Sequence, residues 1–254
     1  MKAGGLGIAS EATLNKEVLV SIVCVSLNAA KTISRLLKSV SRQKNASVEL
    51  VVIDGNSKDG TIDILKKNEN IIDFWLSEPD HGIYDAMNKA LNYVKGKWIM
   101  FLGSDDYLAD DFLKMLPMLK NSNTIYYGNV IFYGKKFEKK YDDYYLTKLN
   151  ICHQGIFYPK AVFYKYQYET KYKVYADYHL NLRCWKDDQF IFEHYDFVVA
   201  SFVEGGVSGK TKDLQFETDR EKLFKQYLKP SSYFRYLNRT IGPLGMIKRI
   251  LFNS

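Results

Sequence analysis

The first half of the chain alternates short apolar runs with segments of helical spacing, and this alternation limits the fold more than any other feature. The run at 18–25 is rich in β-branched residues and too short for a helix, so it predicts a buried strand. The segment at 31–42 spaces its apolar residues three or four apart, as on one face of a helix. The same patterns predict strands at 48–53, 71–76 and 98–102 and helices at 61–67, 82–94 and 110–119.

Repeated strand and helix units form a mostly parallel sheet covered by helices on both faces. In such an α/β fold, ligands bind at the carboxyl ends of the strands. After Thr124 the alternation stops, a Tyr-rich segment with strand-like stretches covers 125–145, and a further helix is predicted at 174–185. We therefore predict a loose lead-in at 1–17, a single α/β domain at 18–210 and a helical C-terminal extension at 211–254.

The net charge of +7 lies at the end of the chain. Seven basic residues and no acid occur in 222–254, so the preceding part of the chain, 1–221, has no formal net charge. A neutral body with a basic, aromatic tail indicates an anionic membrane surface as a partner and gives no reason to expect nucleic acid. No run approaches 18 apolar residues, and 1–16 lacks the apolar core of a signal peptide. We expect a cytoplasmic protein, peripheral on the inner face of the cell membrane, with three reduced cysteines.

Four acidic residues follow the predicted strands, namely Asp54, Asp80, Asp105 and Asp106. An isolated Asp at such a place is often a turn former or a helix cap, and that alternative stays open. Several carboxylates at one edge repel each other unless a cation lies among them. Together with a diphosphate they would make a hard-oxygen site for Mg²⁺ or Mn²⁺.

Four stretches carry a family resemblance, and they occur in order at 20–28 (VSIVCVSLN), 51–61 (VVIDGNSKDGT), 80–90 (DHGIYDAMNKA) and 103–106 (GSDD). They resemble the successive signatures of family 2 glycosyltransferases, which have the GT-A fold. The stretch at 80–90 further resembles the bacterial subgroup that builds surface polysaccharides such as colanic acid and O-antigen. The resemblance spans about 18–209.

The resemblance implies a site for a nucleotide-sugar donor, most simply a UDP-sugar. Asp54 would accept the N–H of the uracil base, and Ser26 and Asn28 would line the same nucleoside pocket. Asp105 would reach the ribose or the sugar. The remaining donor-pocket candidates are Asp80, Asn88, Lys89 and Ser104.

The resemblance also implies a metal ion, Mn²⁺ or Mg²⁺, at the sequence Ser104-Asp105-Asp106, which stands where the family has its Asp-x-Asp motif. Asp106 would bind the cation that bridges both phosphates. Because the first acid of the motif is replaced by Ser104, a second carboxylate ligand is not expected there. The cation would offset the charge that develops on the leaving diphosphate.

Inverting glycosyl transfer also needs a base for the acceptor hydroxyl. In the resembling subgroup the base is an acid at the start of a later helix, and Asp177 in the stretch 175–180 (YADYHL) matches it. A carboxylate stabilised by the helix dipole is the alternative. His153 and Gln154 match a His-Gln element of the subgroup and are expected near the acceptor or the donor sugar.

Eight aromatic residues and four lysines are interleaved at 126–145. Aromatic rings stack on sugar faces and lysines suit a lipid diphosphate, whereas strand packing is the alternative. The sequence thus predicts a metal-dependent inverting glycosyltransferase that moves a sugar from a UDP-sugar to a lipid-linked or growing bacterial polysaccharide. The rival interpretation is a nucleotide-sugar-binding module without transferase activity.

Overall fold

A computed structural model describes residues 1–6, 17–202 and 211–252, with side chains up to 242. The predicted boundary between the domain and its extension, at 210, lies outside the described residues. The strands are β1 (Lys2–Gly4), β2 (Val20–Ser26), β3 (Val48–Asp54), β4 (Phe74–Ser77), β5 (Trp98–Gly103), β6 (Tyr107–Leu108), β7 (Thr124–Phe132), β8 (Lys135–Phe137), β9 (Ile156–Pro159) and β10 (Ile191–Phe202).

The helices of the described residues are α1 (Ile33–Gln43), α2 (Thr61–Lys67), α3 (Ile83–Ala90), α4 (Phe112–Met115), α5 (Lys160–Lys165), α6 (Ala176–Lys186), α7 (Leu214–Tyr227) and α8 (Pro230–Phe252). The predicted helix at 110–119 is only partly correct, because α4 stops at Met115 and a 3-10 turn, Leu116–Met118, follows. Pro117 explains the change, since it has no N–H to donate to the preceding turn. The predicted helix at 82–94 ends four residues early, at Ala90.

The ten strands of the described residues form one mixed sheet in the order β1-β4-β3-β2-β5-β9-β7-β10-β6, with β8 paired to β7. The block β4-β3-β2-β5 is parallel throughout. Beyond it, β9 runs antiparallel to both β5 and β7. The predicted α/β architecture is confirmed, with a parallel centre that directs the ends of β2, β3 and β5 to one edge.

Alternate residues of the central strands face opposite layers of the core, as the two-residue period of a strand requires. In β2, Val23 and Val25 join the layer that contains α3, α6 and α7. Ile22 and Cys24 join the layer that contains α1 and α4. Burial on both faces explains why these strands read as continuous apolar runs in the sequence.

The lead-in is not entirely loose. Lys2–Gly4 forms β1, which pairs antiparallel with β4 at the edge of the sheet. The N–H of Leu6 also donates to the carbonyl of Ile72. The prediction for 1–17 was therefore wrong at its start, because main-chain pairing with an exposed edge strand needs no apolar pattern in the added segment.

The Tyr-rich segment is partly core. Tyr126 and Tyr127 of β7 are buried, and so is Tyr141. The hydroxyl of Tyr127 accepts the N–H of Tyr141 at 3.0 Å. Phe132 and Tyr133, at the turn between β7 and β8, are exposed. The packing alternative therefore applies to the buried tyrosines, whereas the turn exposes the rings of Phe132 and Tyr133.

The C-terminal extension begins as part of the core. Phe216 and Phe224 of α7 are fully buried, and the ring of Phe216 stacks on Tyr178 of α6 with 5.0 Å between centroids. In α8, Leu237 is buried and Arg235 lies over the ring of Tyr144 at 3.7 Å. The C-terminal extension is thus packed on the α/β domain up to this part of α8.

Further along, α8 is interrupted at Gly242, where φ is 70° and ψ is 170°. The positive φ falls in the region that favours glycine. Gly242 therefore divides α8 into two helical segments. Among the helices of the described residues, none has the length and apolar character needed to cross a membrane.

The packing of α7 predicts a large difference between two phenylalanines of the extension. Phe224→Ala should lower the free energy of unfolding by about 3–5 kcal/mol, because it leaves a cavity beside α6. Phe234→Ala is the control, since that ring is 45% exposed, and it should cost less than about 1 kcal/mol. Urea denaturation measures both, and equal losses would contradict the described packing.

Candidate active site

The carboxyl edge of the central sheet gathers polar residues from neighbouring strands. In the sheet register Ser26 of β2 pairs with Asp54 of β3, and Asp54 pairs with Ser77 of β4. On the other side of β2, Val25 pairs with Gly103 of β5, immediately before Ser104. This edge is the ligand-binding edge of an open α/β sheet.

Asp54 lies at the centre of a serine cluster and is fully buried. Its Oδ1 accepts the hydroxyls of Ser26 at 3.1 Å and Ser57 at 2.5 Å. Its Oδ2 accepts the N–H of Ser57 at 2.9 Å and the hydroxyl of Ser77 at 2.8 Å. A carboxylate has about four lone-pair sites and all are used, so a uracil N–H would have to displace one of these donors.

Asn28 connects the loop after β2 to the loop after β3. Its N–H donates to Ser57 Oγ at 2.7 Å, and its Oδ1 accepts the N–H of Lys58 at 2.9 Å. Asn28 is exposed and has a φ of 50°, which Asn tolerates better than most residues. The structure therefore brings Ser26, Asn28 and Asp54 together, as predicted for one pocket.

Asp80 lies beside the same loop. Its Oδ1 accepts the N–H of Gly82 at 2.9 Å. A Cβ placed on Gly55 would be only 2.5 Å from Asp80 Oδ2, so the backbone after Asp54 approaches the Asp80 side chain closely. Asp80 thus borders the predicted donor pocket.

The side chains of Asn88 and Lys89 contact loop residues. Lys89 Nζ lies 3.3 Å from Glu78 and 3.2 Å from Asp85, and it braces the loop between β4 and α3. Asn88 donates to the carbonyl of Tyr168 at 2.9 Å and accepts its N–H at 3.0 Å. These contacts secure loops, and no described contact joins either side chain to the other predicted donor residues.

The motif after β5 wraps around Gly103. A Cβ there would lie 2.8 Å from Asp105 Oδ1 and 3.0 Å from Asp106 Oδ2. Asp106 is only 3% exposed, and its Oδ2 accepts the N–H of Gly103 at 2.7 Å and Gln154 Nε2 at 3.1 Å. Burial, and then the charge of Asp105, raise the pKa of Asp106 to about 6.

The four predicted carboxylates share the edge but do not form one cluster. Among the described residues, no group of three His, Cys, Asp or Glu side chains could hold a metal ion by itself. Asp106 nevertheless fits a hard cation, because its Oδ1 has no hydrogen bond within the described residues and its burial penalises an uncompensated charge. The other ligands would have to be supplied by the donor diphosphate.

Asp177 begins the first turn of α6 and is 6% exposed. Its Oδ1 accepts the N–H of Tyr178 at 2.8 Å. The hydroxyl of Tyr84 lies 2.9 Å from the same oxygen and 2.6 Å from the carbonyl of Val174, and its one proton is shared between these two acceptors. Its Oδ2 accepts Asn150 Nδ2 at 2.8 Å and lies 3.2 Å from His153 Nδ1. Residues of three other segments therefore meet at this carboxylate.

The 3-10 turn His153–Gly155 joins the two ends of the site. Its first residue contacts Asp177, and its second residue, Gln154, contacts Asp106. Burial lowers the pKa of His153, but the hydrogen bond to Asp177 and the charges of Asp177 and Asp106 outweigh it and raise the pKa above its usual value. The structure thus brings together the predicted metal-binding carboxylate, the predicted base and the His-Gln element.

Sequence reasoning missed several residues of the site. Ser57 and Tyr84 lie inside the stretches that carried the family resemblance, which was a signal that could have identified them. Ser77 ends β4, and its position at the strand end was a weaker signal. Asn150 has no local signal, because its role depends on contact with a helix 27 residues away.

The sequence model described as "Glycosyl transferase family 2" matches residues 21–180. The chain belongs to this family. Its activity class is accordingly glycosyl transfer, and the matched segment contains the edge of the sheet, the His153–Gly155 turn and Asp177.

Two curated relatives illustrate the similarity. A PGL/p-HBAD biosynthesis glycosyltransferase of Mycobacterium bovis is 35% identical over 212 residues, which cover 77% of this chain and 81% of the relative. The UDP-Glc:alpha-D-GlcNAc-diphosphoundecaprenol beta-1,3-glucosyltransferase WfgD of Escherichia coli is 40% identical over 116 residues, 44% of this chain and 46% of WfgD. Both are consistent with the predicted surface-polysaccharide subgroup.

Solved structures confirm the predicted GT-A fold. S. aureus TarS 1-349 in complex with UDP-GlcNAc aligns with a TM-score of 0.67 at 16% identity, over 93% of this chain and 76% of that one. A longer TarS chain, of which this chain covers 43%, aligns with a TM-score of 0.69. The mannosyltransferase PcManGT from Pyrobaculum calidifontis, in complex with GDP-Man and Mn²⁺, aligns with a TM-score of 0.63 at 14% identity, over 93% of this chain and 74% of that one.

The raised pKa of Asp106 predicts a pH-dependent stability. The folded, metal-free protein binds an extra proton between about pH 4 and 6, so its free energy of unfolding falls as the pH rises through that range. Asp106→Asn removes this effect. At about 1.4 kcal/mol per pH unit, the variant should gain up to about 3 kcal/mol over wild type at about pH 7 and little at about pH 4.

Urea denaturation in the presence of a chelator, at both pH values, measures this difference. Asp110→Asn is a matched control, because this exposed acid lies outside the cluster, and it should not show the gain in free energy of unfolding expected for Asp106→Asn. Destabilisation by Asp106→Asn at about pH 7 would show that the carboxylate is not under electrostatic strain.

Proposed function

We propose that this chain is a metal-dependent, inverting glycosyltransferase that moves a sugar from a UDP-sugar to a lipid-linked or growing bacterial polysaccharide. The observation that supports this most is the turn His153–Gly155, with its contacts to Asp106 and to Asp177. A carboxylate suited to a diphosphate-bound cation and a carboxylate suited to proton transfer border one site. Metal-dependent glycosyl transfer with inversion uses both.

The donor would bind along the carboxyl edge of the sheet. Uracil would lie against Ser26 and Asn28, with its N–H replacing one serine hydroxyl on Asp54. Asp80 would border the same pocket, and Ser104 and Asp105 would reach the ribose or the sugar. The UDP-GlcNAc complex of TarS, which shares this fold, supports a UDP-sugar as the donor. Asn88 and Lys89 would contribute indirectly, by securing the loops that they brace.

A divalent cation, Mn²⁺ or Mg²⁺, would supply charge neutralisation at the leaving diphosphate. Asp106 would hold it through Oδ1, while Gly103 and Gln154 keep Oδ2 oriented. Ser104 offers no second carboxylate, so this chain would depend more on the diphosphate oxygens than a family member with two acids. The Mn²⁺ in the PcManGT complex supports a metal in this fold.

Inversion requires the acceptor hydroxyl to attack from the face opposite the leaving group and to lose its proton as it does so. We assign the base function to Asp177, together with the residues that hold it. Gln154 and His153 would line the space between base and cation, where the donor sugar and the acceptor hydroxyl meet. The full name of WfgD specifies a diphosphoundecaprenol acceptor, which supports a lipid-linked acceptor here.

A lipid-linked acceptor would require the enzyme to approach a membrane. The exposed face of α8 carries Phe234 and Ile241. The amino-acid sequence of 243–252 contains Lys248 and Arg249 among apolar residues. We propose that this part of the tail binds an anionic membrane surface on the cytoplasmic side, while α7 and the start of α8 attach it to the catalytic domain. The exposed turn at Tyr133, next to Lys135, offers a second aromatic and basic contact for the acceptor.

Metal dependence gives the first test. With a panel of UDP- and GDP-sugars and Mn²⁺, the wild type should hydrolyse or transfer one UDP-sugar. Excess chelator or Asp106→Asn should abolish turnover and weaken UDP binding measured by calorimetry, because the diphosphate charge is no longer neutralised. Asp177→Asn is the matched variant, and it should lower turnover by about 10² to 10⁴ with UDP affinity unchanged.

Full turnover in excess chelator would exclude the metal. Loss of UDP affinity in Asp177→Asn would assign this residue to the donor pocket instead of the base. Binding of a UDP-sugar with no turnover on any acceptor would favour a binding module.

The tail gives a second test. Removal of 243–254, or the double change Lys248→Gln and Arg249→Gln, should weaken binding to anionic vesicles. The double change should cost roughly 2 kcal/mol, since each basic residue near an anionic leaflet contributes about 1 kcal/mol. Lys66→Gln with Lys67→Gln, on the exposed side of α2, is the matched control. Vesicle co-sedimentation measures the effect, and unchanged binding of the truncated protein would refute the membrane role.

A further inference from the structure

Three basic side chains surround the ring of Tyr144, the residue before the 3-10 turn Tyr145–Thr147. The guanidinium carbon of Arg235 lies 3.7 Å from the ring centroid, Lys148 Nζ lies 4.5 Å from it, and the guanidinium carbon of Arg239 lies 5.9 Å from it. All three basic residues are exposed. We call these three residues the basic cluster.

The basic cluster has no neutralising carboxylate. The two acids that precede Tyr144 have other partners, since Asp143 Oδ2 lies 3.5 Å from Lys229 Nζ and Asp142 Oδ1 accepts the N–H of Tyr145 at 2.6 Å. Within the part of the chain that the structure describes, no ion pair includes a member of the cluster. Like charges gathered around one ring repel each other unless an anion lies among them. The cluster therefore favours an anionic ligand.

The chemistry of the cluster suits phosphate groups. The planar fork of a guanidinium binds two phosphate oxygens at once, and a lysine ammonium adds a point charge. Arg239 Nη2 donates to the carbonyl of Thr147 at 2.9 Å, and Arg235 rests on the ring of Tyr144. Because these contacts already restrict both arginines, less conformational entropy is lost when an anion binds. Three cations suit a diphosphate diester, which has one negative charge on each phosphate.

The basic cluster is connected to the candidate active site by a short segment. The hydroxyl of Tyr178 donates to the carbonyl of Leu146, and Asn150 donates to Asp177 at 2.8 Å. Tyr144 and Asn150 are six residues apart, and six residues span at most about 22 Å even when fully extended. A diphosphate on the cluster is thus close enough for a short glycan attached to it to reach Asp177.

The basic cluster also adjoins the proposed membrane contact. Arg239 precedes Gly242 by three residues, which corresponds to about 4.5 Å along a helix, and α8 continues from there to Phe252. The diphosphate of a lipid-linked acceptor lies where its lipid leaves the membrane. The cluster therefore lies between the part of α8 proposed to bind the membrane and the proposed base.

The lysines that the sequence suggested for a lipid diphosphate are less suitable. Lys136 pairs with Glu138 and Asp196, so its charge is already balanced. Lys139 lies over the ring of Tyr145 at 4.3 Å, next to the basic cluster, and can add to its positive charge.

We propose that the basic cluster binds the diphosphate that joins lipid and glycan in the acceptor, an inference that rests on the function proposed above. This site is separate from that of the donor diphosphate, which is proposed to bind at Asp106. The cluster holds one end of the acceptor at the membrane surface and leaves the other end, with its reacting hydroxyl, directed towards Asp177.

Binding of geranyl diphosphate, a soluble prenyl diphosphate without a sugar, tests the site by calorimetry, with excess chelator to prevent binding through a metal. Arg235→Gln with Arg239→Gln should weaken this binding about 10- to 100-fold, because both guanidinium forks are lost. Arg235→Lys with Arg239→Lys keeps the charges and should give an intermediate loss. Lys222→Gln with Lys225→Gln, on the exposed side of α7, is the matched control. It should change the affinity less than about 2-fold, since distant exposed charges are screened.

A second variant guards against misfolding, since both arginines also contact neighbouring residues. Lys148→Gln removes one exposed cation and leaves both arginines in place, and it should weaken geranyl diphosphate binding about 3- to 10-fold. UDP affinity in the presence of Mn²⁺ should stay at the wild-type level in every variant, which shows that the catalytic domain is intact.

Two comparisons identify the source of the phosphate. Dihexanoyl phosphatidylglycerol, a soluble phospholipid with a single phosphate, should bind at least about 10-fold more weakly than geranyl diphosphate. In turnover assays, geranyl diphosphate should compete with the lipid-linked acceptor and not with the UDP-sugar.

Equal binding of the phospholipid, or wild-type affinity for geranyl diphosphate in the Arg235 and Arg239 variants or in Lys148→Gln, would overturn the proposal. An active enzyme in which geranyl diphosphate does not compete with the acceptor would overturn this inference and leave the glycosyltransferase function intact. A wild-type protein that transfers sugar from none of the nucleotide sugars would overturn the proposed function, and the acceptor site with it.

Discussion

Buried carboxylates must be compensated, and the site is built around this requirement. Removing an ionised carboxyl group from water is costly unless hydrogen bonds or a counter-charge replace the lost solvation. Asp54 receives four hydrogen-bond donors. Asp177 receives three, and it shares the hydroxyl of Tyr84 with the carbonyl of Val174. Asp106 receives two, both on one oxygen, and its pKa rises to about 6. The incompletely compensated carboxylate is the one where a cation would be most strongly favoured.

The donors that compensate these acids also determine where the loops lie. The serines on Asp54 connect the ends of β2 and β4 to the loop after β3. The turn His153–Gly155 is held between Asp106 and Asp177 by one side chain at each end. Substitution of one carboxylate would therefore remove a charge and also leave a hydrogen-bond donor without its acceptor. Measurement of UDP affinity separates the effect on catalysis from the effect on loop position.

The core supports this arrangement through α6, α3 and α7. Tyr84 packs in the core and also donates to Asp177, so a single side chain connects the apolar layer to the site. Phe216 of α7 stacks on Tyr178, the residue that follows Asp177. The start of the C-terminal extension thus packs against the first turn of α6, so the extension supports the candidate site as well as providing the proposed contact with a membrane.

The sequence by itself determined the α/β fold class, because strands buried on both faces and amphipathic helices leave local patterns. Its motifs also predicted Asp106, Asp177, His153 and Gln154 as site residues, since the family resemblance extends over them. Only the tertiary structure decided that β1 adds to the sheet, that Asn88 and Lys89 brace loops, and that Asn150 and His153 both bond to Asp177. Those outcomes depend on contacts between residues distant in the chain, and pairing of that kind leaves no periodicity or composition in either partner.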